Sequence, residues 1–230
     1  MNYEAILLAA GAGKRMKAVK NKVLLELLDK PVLSYSIERF LNDDQCKHLI
    51  LAVKEDEVAF IKSLIPPSKK EVSVVVGGSE RQYSVYYALK KLKGEEAVLV
   101  HDGARPFVTE ELISDLLVHL ENCDAALLGT PVKDTIKVVE NGLVEKTIPR
   151  ETLWQAQTPQ AFHQEIFQVA HKRAKDKKFL GTDDTSLLEE FFPQARIEMV
   201  MGSYENIKLT TPDDLDKGTL ILEARRYDGL

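Results

Sequence analysis

The chain has 230 residues, of which 44% are hydrophobic and 29% charged, and its net charge is −5. This length suffices for one domain with a substantial core and is short for two. The acidic balance argues against nucleic acid or a membrane surface as partner. Cys46 and Cys123 lie far apart and near no histidine pair, so we expect free thiols in a cytoplasmic protein rather than a zinc site.

The first predicted strand, residues 4–9, leads into a loop rich in glycine and cations. The loop reads Gly11-Ala12-Gly13-Lys14-Arg15-Met16, and Lys22 follows soon after. Glycine allows close approach of the backbone to a ligand, and exposed amides with nearby cations hold anions. The P-loop string is absent, and methionine stands where the third glycine of a dinucleotide loop would be. The loop predicts a small phosphorylated ligand; the alternative is a glycine turn with surface lysines.

Apolar runs of strand length then alternate with segments of helical period. This alternation predicts an α/β fold with a mostly parallel central sheet flanked by helices. Strands are predicted at 4–9, 48–53, 72–76, 96–101 and 125–129, and helices at 32–42, 55–64, 80–93 and 109–122. The third helix begins with Ser79-Glu80-Arg81-Gln82, a capping-box pattern.

After residue 130 the sequence predicts a β-hairpin. Asp134–Val139 and Leu143–Ile148 flank Asn141-Gly142, a strong hairpin signal. Two strands alone are marginally stable, so we expect this arm, an insertion at about 133–152, to pack on a second copy of the chain. The alternative is a hairpin folded back on its own domain. Helices at 163–176 and 183–191, a strand near 196–201 and a last helix capped by the Thr211 hydroxyl complete one domain over 1–230.

Polar groups beyond the strand ends form the candidate site, because open α/β sheets bind ligands there. Gly78 and Ser84 are candidate contacts for a base or ribose. Asp102 ends an apolar strand and suits Mg²⁺, which binds through one or two carboxylates plus substrate phosphates. Asp102 could instead bond a sugar hydroxyl, or pair with Arg105 and pin the turn. Arg150 follows the arm, which could carry it into a neighbour's cleft.

Catalytic motifs built on a nucleophile are absent from the sequence. It contains neither G-x-S-x-G nor H-E-x-x-H, and neither cysteine has a nearby catalytic histidine. Several cations with one isolated acid favour phosphoryl or nucleotidyl transfer, in which the protein mainly positions substrates and stabilises charge.

Ordered motifs then identify a family resemblance. Leu8–Met16 resembles the signature of the sugar-phosphate nucleotidyltransferases. Together with Asn21-Lys22, Gly77-Gly78, His101–Pro106, Val132–Lys137, Gln157–Gln160 and Asn206–Lys208, it makes the chain similar to the 2-C-methyl-D-erythritol 4-phosphate cytidylyltransferases of the non-mevalonate isoprenoid pathway, over residues 3 to about 225. Two positions depart from the family pattern: Asn21 stands where proline is often found, and Ser79 where an acid is frequent.

The resemblance implies a Rossmann-like single domain and a homodimer with interlocking hairpin arms. It implies that CTP and 2-C-methyl-D-erythritol 4-phosphate give CDP-methylerythritol and pyrophosphate, with Mg²⁺ or another divalent cation. The residue roles that it implies are catalysis by Arg15 and Lys22; CTP binding by Ala9, Ala10, Gly11, Gly13, Lys14, Gly78, Arg81, Ser84 and Asp102; acceptor binding by Arg105, Thr135, Arg150, Thr158 and Lys208; and metal binding by Asp102.

Two other functions remain open at this point. A ribitol-5-phosphate cytidylyltransferase shares the fold and the phosphate loop but tends to lack the Val132–Lys137 string. A non-catalytic nucleotide sensor could use the same fold, although the retention of Arg15, Lys22 and Asp102 speaks against it. A nicotinamide oxidoreductase fits less well, because the dinucleotide glycine pattern is incomplete.

Overall fold

The structure, a computed structural model, describes residues 1–11 and 21–227. Its strands are β1 (Tyr3–Leu8), β2 (Glu26–Leu27), β3 (Lys30–Pro31), β4 (Cys46–Val53), β5 (Glu71–Val76), β6 (Ala97–Asp102), β7 (Ala125–Pro131), β8 (Ile136–Glu140), β9 (Leu143–Ile148), β10 (Trp154–His163) and β11 (Ile197–Met201). Its α-helices are α1 (Val32–Asn42), α2 (Val58–Ser63), α3 (Arg81–Leu89), α4 (Glu110–Leu120), α5 (Gln164–Lys177), α6 (Thr185–Phe191) and α7 (Pro212–Tyr227).

One seven-stranded sheet organises the molecule, in the order β11-β7-β10-β6-β1-β4-β5. Strand β1 runs parallel to β4 and β6, β4 runs parallel to β5, and β7 runs parallel to β11. Strand β10 runs antiparallel to both of its neighbours, β6 and β7. The mostly parallel α/β sheet predicted from the sequence is confirmed.

Both faces of the sheet are covered, which explains why its central strands are nearly continuous apolar runs. On one face, Phe40 of α1 and Leu116 of α4 belong to a core cluster with the inward residues of β1, β4 and β6. On the other face, Val85, Phe167 and Leu188 of α3, α5 and α6 belong to a second cluster. The packed layers hold the strand ends, and the loops that leave them, in fixed positions.

Two predicted helix caps are wrong. Glu80, not Ser79, precedes α3 and makes no side-chain capping bond, because the Gln82 amide reaches across to Phe179 and Gly181 instead. At α7 the cap runs in the opposite direction: the carboxylate of Asp214 accepts hydrogen bonds from the backbone N–H groups at 210 and 211. In both cases the helix start is close to the predicted position and only the capping atoms differ.

Helix lengths differ from the predictions where turns intervene. Helix α1 has the predicted bounds, whereas the predicted helix over 55–64 is a 3₁₀ turn at Glu55–Glu57 followed by the short α2. Helix α3 ends at Leu89, four residues before its predicted end at 93. Leu92 nevertheless packs against the same apolar cluster as Val85, so the predicted buried face is retained.

Strand β10 was not predicted. Its sequence contains Pro159 and three glutamines, and a proline inside a segment argues against a central strand. The pairing of β10 with β7 shifts register between Ala156 and Gln160. The proline therefore sits in an irregularity of the ladder, where its missing N–H costs no regular hydrogen bond.

The predicted hairpin is confirmed as β8 and β9, joined at Asn141-Gly142, where both residues have positive φ (50° and 83°). Within the described residues, β8 and β9 pair only with each other. Except for the half-buried Ile148, their apolar side chains are exposed, from 38% for Val138 to 71% for Leu143. The arm is therefore not folded back on the domain, and what it packs on stays a prediction.

None of the helices described is both long and apolar enough to cross a membrane.

Candidate active site

A cavity of about 360 Å³ lies at the carboxyl ends of β1 and β6. Pockets of this size are typical of small-molecule sites. Three cationic and two acidic side chains line it together with small and apolar residues, and the described lining consists of Leu8, Ala10, Gly11, Lys22, Val23, Gly78, Ser79, Glu80, Arg81, Ser84, Asp102, Ala104 and Lys208.

Most of the predicted nucleotide residues meet at this cavity. The candidates that line it are Ala10, Gly11, Lys22, Gly78, Arg81, Ser84, Asp102 and Lys208. The candidates that do not line it are Ala9, Arg105, Thr135, Arg150 and Thr158. Gly13, Lys14 and Arg15 lie outside the described residues. Lys22 and Lys208 are almost 190 residues apart in sequence and line the same cavity.

Asp102 is the centre of charge in the cavity. Its Oδ2 lies 2.5 Å from Nζ of Lys208 and its Oδ1 lies 3.3 Å from Nε of Arg81. Burial alone would raise the pKa of Asp102, but the charges of Arg81 and Lys208 outweigh it and hold that pKa far below its usual range. Asp102 is a carboxylate at any physiological pH, and both cations are drawn to it.

A chain of hydrogen bonds fixes Asp102 from behind. Its backbone N–H donates to Oγ1 of Thr158 (3.0 Å), and Thr158 lies 3.1 Å from Nδ1 of His101. Nε2 of His101 donates to the carbonyl of Arg105 at 2.9 Å, so Nδ1 is the acceptor of the Thr158 hydroxyl. Burial lowers the pKa of His101 to about 4, which keeps the ring neutral. Thr158 thus supports Asp102 instead of facing the cavity.

Arg105 also acts within the protein. Its Nη1 donates to the carbonyl of Asn206 at 2.6 Å, and its Nε lies 4.0 Å from Oδ2 of Asp102. The side chain of Arg105 is only 12% exposed. It therefore ties the loop that carries Lys208 to the end of β6, close to the predicted Asp102–Arg105 pair.

Two glycines let the β5–α3 loop pack closely, Gly77 against the segment that follows β1 and Gly78 against Tyr83 of α3. A Cβ on Gly77 would lie 2.5 Å from Cβ of Ala10, and one on Gly78 would lie 2.4 Å from Cβ of Tyr83. Neither position has room for a larger residue. The hydroxyl of Ser84 accepts a hydrogen bond from the N–H of Gly78 (3.0 Å), so it shapes the cavity wall.

Lys22 is held at the cavity by the residue before it. Nδ2 of Asn21 donates to the carbonyl of Ala9 and to Glu57, both at 2.7 Å, and its Oδ1 accepts from Val23. These bonds join the end of β1 to the 3₁₀ turn that begins at Lys22. The departure from the family pattern at Asn21 thus has a local structural role.

Arg150 and Thr135 lie at the base of the arm, away from the cavity of the same chain. Both are exposed, and Nη1 of Arg150 donates to the carbonyl of Lys133 at 3.0 Å. The structure of one chain does not bring these two predicted acceptor residues to the other candidates.

The sequence marks Asp184 only as part of Thr182-Asp183-Asp184, one of several dispersed polar groups, and predicts no role for it. This carboxylate is 1% exposed, and its Oδ2 lies 2.7 Å from Nη2 of Arg81. The sequence signal, an acid before helix α6, is the same as that of an ordinary helix cap. Only the folded chain shows that the carboxylate faces a cavity cation.

Comparisons with known proteins agree with one another over almost the full chain. The sequence model of the 2-C-methyl-D-erythritol 4-phosphate cytidylyltransferase family matches residues 3–224. Proteins of that name from Bacillus licheniformis and Bacillus velezensis are 47% and 46% identical to the chain, with 98% and 97% of both sequences covered. The crystal structure of 4-diphosphocytidyl-2C-methyl-D-erythritol synthase from Anaerococcus prevotii superposes with a TM-score of 0.86 at 30% identity, covering 96% of this chain and 98% of that one.

Proposed function

The chain belongs to the 2-C-methyl-D-erythritol 4-phosphate cytidylyltransferase family, and we propose that the cavity beside Asp102 is where its two substrates meet. The enzyme is a nucleotidyltransferase that joins CTP and 2-C-methyl-D-erythritol 4-phosphate to give CDP-methylerythritol and pyrophosphate in the non-mevalonate isoprenoid pathway. The ribitol-5-phosphate and sensor alternatives are not favoured, because the family model and these relatives carry the methylerythritol name.

The convergence of Lys22, Arg81 and Lys208 on one cavity carries the proposal. In the reaction, an oxygen of the acceptor phosphate forms a bond to the α-phosphorus of CTP while the bond to the β-phosphate oxygen breaks. Pyrophosphate leaves as an anion, so no strong general acid is needed. The work of the protein is to offset negative charge as it concentrates on the α-phosphate, and fixed cations do this without reorganisation. We assign this role to Lys22, and to Arg15 from the family motif.

Asp102 fits a role in holding Mg²⁺. Within the described residues, no group of three or more His, Cys, Asp and Glu side chains is arranged to hold a metal. Magnesium, however, commonly takes one carboxylate plus substrate phosphates, and Asp102 is an ionised carboxylate in the cavity. The ion, when bound, would neutralise part of the triphosphate charge. Since Lys208 and Arg81 occupy both oxygens of Asp102, one of them must give way.

We assign the acceptor phosphate to Lys208 and, across a homodimer, to Arg150 and Thr135. The exposed apolar side chains of the arm support such an interface, because isolated apolar surface of this kind is typical of contacts between chains. They are Ile136, Val138, Val139, Leu143 and Val144.

The free thiols support a cytoplasmic location. Cys46 and Cys123 are both unpaired and buried, and burial raises their pKa values to about 12 and about 11. Free, unreactive thiols are typical of proteins from reducing compartments. Cytidylyltransferase activity in the soluble fraction of disrupted cells is the expected observation.

Lys22→Ala tests the catalytic assignment, with pyrophosphate release followed for CTP with methylerythritol phosphate and with ribitol phosphate. We expect kcat to fall about 10²–10³-fold, the usual cost of losing one well-aimed donor. Lys62→Ala, at an exposed lysine of α2, is the matched control and should keep parental turnover. A folded Lys22→Ala enzyme with parental kcat would refute the role, and turnover with ribitol phosphate alone would refute the substrate.

Leu143→Asp with Val144→Asp tests the dimer by analytical ultracentrifugation. We expect monomers and a raised KM for the acceptor, with Lys146→Glu on the same arm as control. A variant that remains dimeric contradicts the interface.

A further inference from the structure

Arg81 is paired with two carboxylates through different nitrogens. Its Nε lies 3.3 Å from Oδ1 of Asp102, and its Nη2 lies 2.7 Å from Oδ2 of Asp184. The Arg81 side chain is 32% exposed and lines the cavity, whereas Asp184 is 1% exposed and is not part of the lining. No ligand in the cavity can therefore touch Asp184, and any effect it has on a ligand must pass through Arg81.

The backbone around Asp184 is anchored to the sheet. Its N–H and that of Thr185 both donate to Oε1 of Gln160 at 3.2 Å, and Gln160 belongs to β10. Gln82, the neighbour of Arg81, bonds the carbonyl of Phe179 and the N–H of Gly181, both at 2.9 Å. These hydrogen bonds join the start of α3 to the loop before α6. The backbone positions of Arg81 and Asp184 are therefore fixed relative to each other.

The two carboxylates differ in what else they can bind. Asp102 also holds Lys208 and faces the cavity, so it can exchange a cation for a substrate group. Among the described residues neither carboxylate oxygen of Asp184 makes a hydrogen bond, and its Oδ2 is held by the ion pair with Arg81. Burial raises the pKa of Asp184, and Arg81 is the first group that opposes this effect. Losing Arg81 would leave a buried carboxylate alone, which is strongly unfavourable.

We propose that Asp184 is a positioning residue that keeps the Arg81 guanidinium at the cavity wall while Asp102 exchanges a cationic partner for a substrate hydroxyl or a metal ion. The inference rests on the proposed function, because it takes the cavity as the CTP site. Arg81 then contacts CTP, and Asp184 sets where its charge stands before the nucleotide arrives.

Asp184→Asn tests the proposal, because it removes the charge and keeps the size. We expect KM for CTP to rise about tenfold, within the coupling range of residues in direct contact, with a smaller change in kcat. Asp183→Asn is the matched control from the same loop, since that carboxylate bonds Ser186 and Gln160 instead of Arg81. It should lower the melting temperature and leave KM unchanged. Equal KM values for Asp184→Asn and the parent would overturn the proposal.

A double-mutant cycle separates positioning from simple stability. In an Arg81→Ala background, Asp184→Asn should change KM for CTP less than about twofold, because its effect passes through the missing guanidinium. A tenfold further rise in that background would overturn the proposal. If Asp184→Asn does not fold, Asp184→Glu provides the test, because it retains the charge. We expect its KM for CTP, and its Kd for CTP measured by calorimetry, to stay within about threefold of the parental values. Loss of CTP binding in folded Asp184→Glu would contradict the proposal.

Arg81→Ala as a single substitution separates the assignment of the cavity to CTP from the positioning role of Asp184. If it leaves KM for CTP unchanged, the assignment of the cavity to CTP fails. If it raises KM while Asp184→Asn does not, only the role of Asp184 fails.

Discussion

Two buried carboxylates stand at opposite ends of the same parallel strands. Asp102 ends β6 at the cavity, while Glu4, near the start of β1, is 0% exposed. Oε2 of Glu4 lies 2.7 Å from Nδ1 of His48, whose Nε2 lies 2.9 Å from Oγ of Ser73. The Glu4 carboxylate also accepts hydrogen bonds from the backbone N–H groups of residues 93–95. We call Glu4, His48 and Ser73 the amino-edge cluster, and Asp102 with Arg81 and Lys208 the carboxyl-edge cluster.

The two clusters differ in whether their partners can move away. Backbone N–H groups and a buried imidazole hold Glu4, and releasing them would open the loop after α3. Asp102 is held by two long side chains, each about one-third exposed, that line a cavity. A buried charge with fixed partners stabilises the fold, whereas one with exchangeable partners can bind a ligand. Exchangeability of the partners therefore distinguishes the site from the structural tie better than burial does.

Asp102→Asn should have the largest effect and act mainly on activity. We expect kcat/KM to fall about 10²–10³-fold, because the carboxylate that orders both cations is lost. The free energy of unfolding should fall by about 1–2 kcal/mol, because the carboxylate is buried and paired, while Arg81 keeps Asp184 and Lys208 reaches solvent. Pyrophosphate release and urea unfolding measure the two quantities. A large loss of stability with unchanged turnover would place Asp102 among the structural ties.

Glu4→Gln should show the reverse pattern. An amide oxygen is a weaker acceptor than a carboxylate, and the amide N–H group would face the N–H of Lys93, so we expect a loss of about 3 kcal/mol in the free energy of unfolding. Turnover per folded molecule should match the parent. Altered KM for either substrate in the folded variant would show that the amino-edge cluster communicates with the cavity.

Between about pH 6.5 and 4, acid should destabilise the protein through histidine rather than through Asp102, whose contribution is lost only at lower pH. Burial lowers the pKa of His101 to about 4 and that of His171 to about 3, whereas the unfolded chain protonates histidine near its ordinary pKa of about 6.5. Between about pH 6.5 and 4 the unfolded state binds more protons than the folded state. The free energy of unfolding therefore decreases as the pH is lowered, by about 1.4 kcal/mol per pH unit for each histidine. The depressed pKa of Asp102 means that its charge is constant over this range.

His171→Leu measures one of these two contributions. Neither ring nitrogen of His171 has a hydrogen-bond partner among the described residues, so an apolar side chain should cost little at neutral pH. Urea unfolding at several pH values should show a slope reduced by one proton. An unchanged slope would exclude His171 as a source of the acid sensitivity.

Ser73→Ala should have the smallest effect. It removes one hydrogen bond, to His48, so we expect a loss of about 1 kcal/mol in unfolding free energy and no change in turnover. Reduced turnover in this variant would contradict the division between the two clusters.

Local patterns predicted most of the fold, because helix and strand periods and the Asn141-Gly142 turn act over short distances. Strand β10 was not predicted, because the register shift that accommodates Pro159 depends on pairing with β7, a strand distant in sequence. The capping atoms were not predicted for a similar reason: the Gln82 side chain hydrogen-bonds the carbonyl of Phe179 in a distant loop instead of capping its own helix. The sequence predicts where a helix or strand begins more easily than it predicts which polar atoms hydrogen-bond the backbone groups at its end.

The lining of the cavity was predictable where a charged residue lies at or beyond the end of a strand, as Lys22, Asp102 and Lys208 do. Thr158 was predicted as a substrate contact, yet its hydroxyl supports Asp102. Asp184 belonged to a dispersed polar group whose sequence is also that of an ordinary turn or helix cap, so no role was predicted for it. Whether a polar side chain faces a cavity or stands behind it depends on packing between distant segments, which local spacing does not record.

The position of β10 has a consequence for how the polypeptide matures. It lies between β6 and β7, although it follows β7 in the chain, so these two strands cannot gain their native neighbour until the ribosome has added residues 154–163. Before then both present open edges, and long-range closure of this kind is slow because entropy is lost before contacts form. A nascent chain that stops at residue 153 lacks Thr158, whose hydroxyl accepts a hydrogen bond from the N–H of Asp102, and it lacks Asp184 and Lys208 as well. The surroundings of Asp102 are therefore completed only after β10 has been inserted.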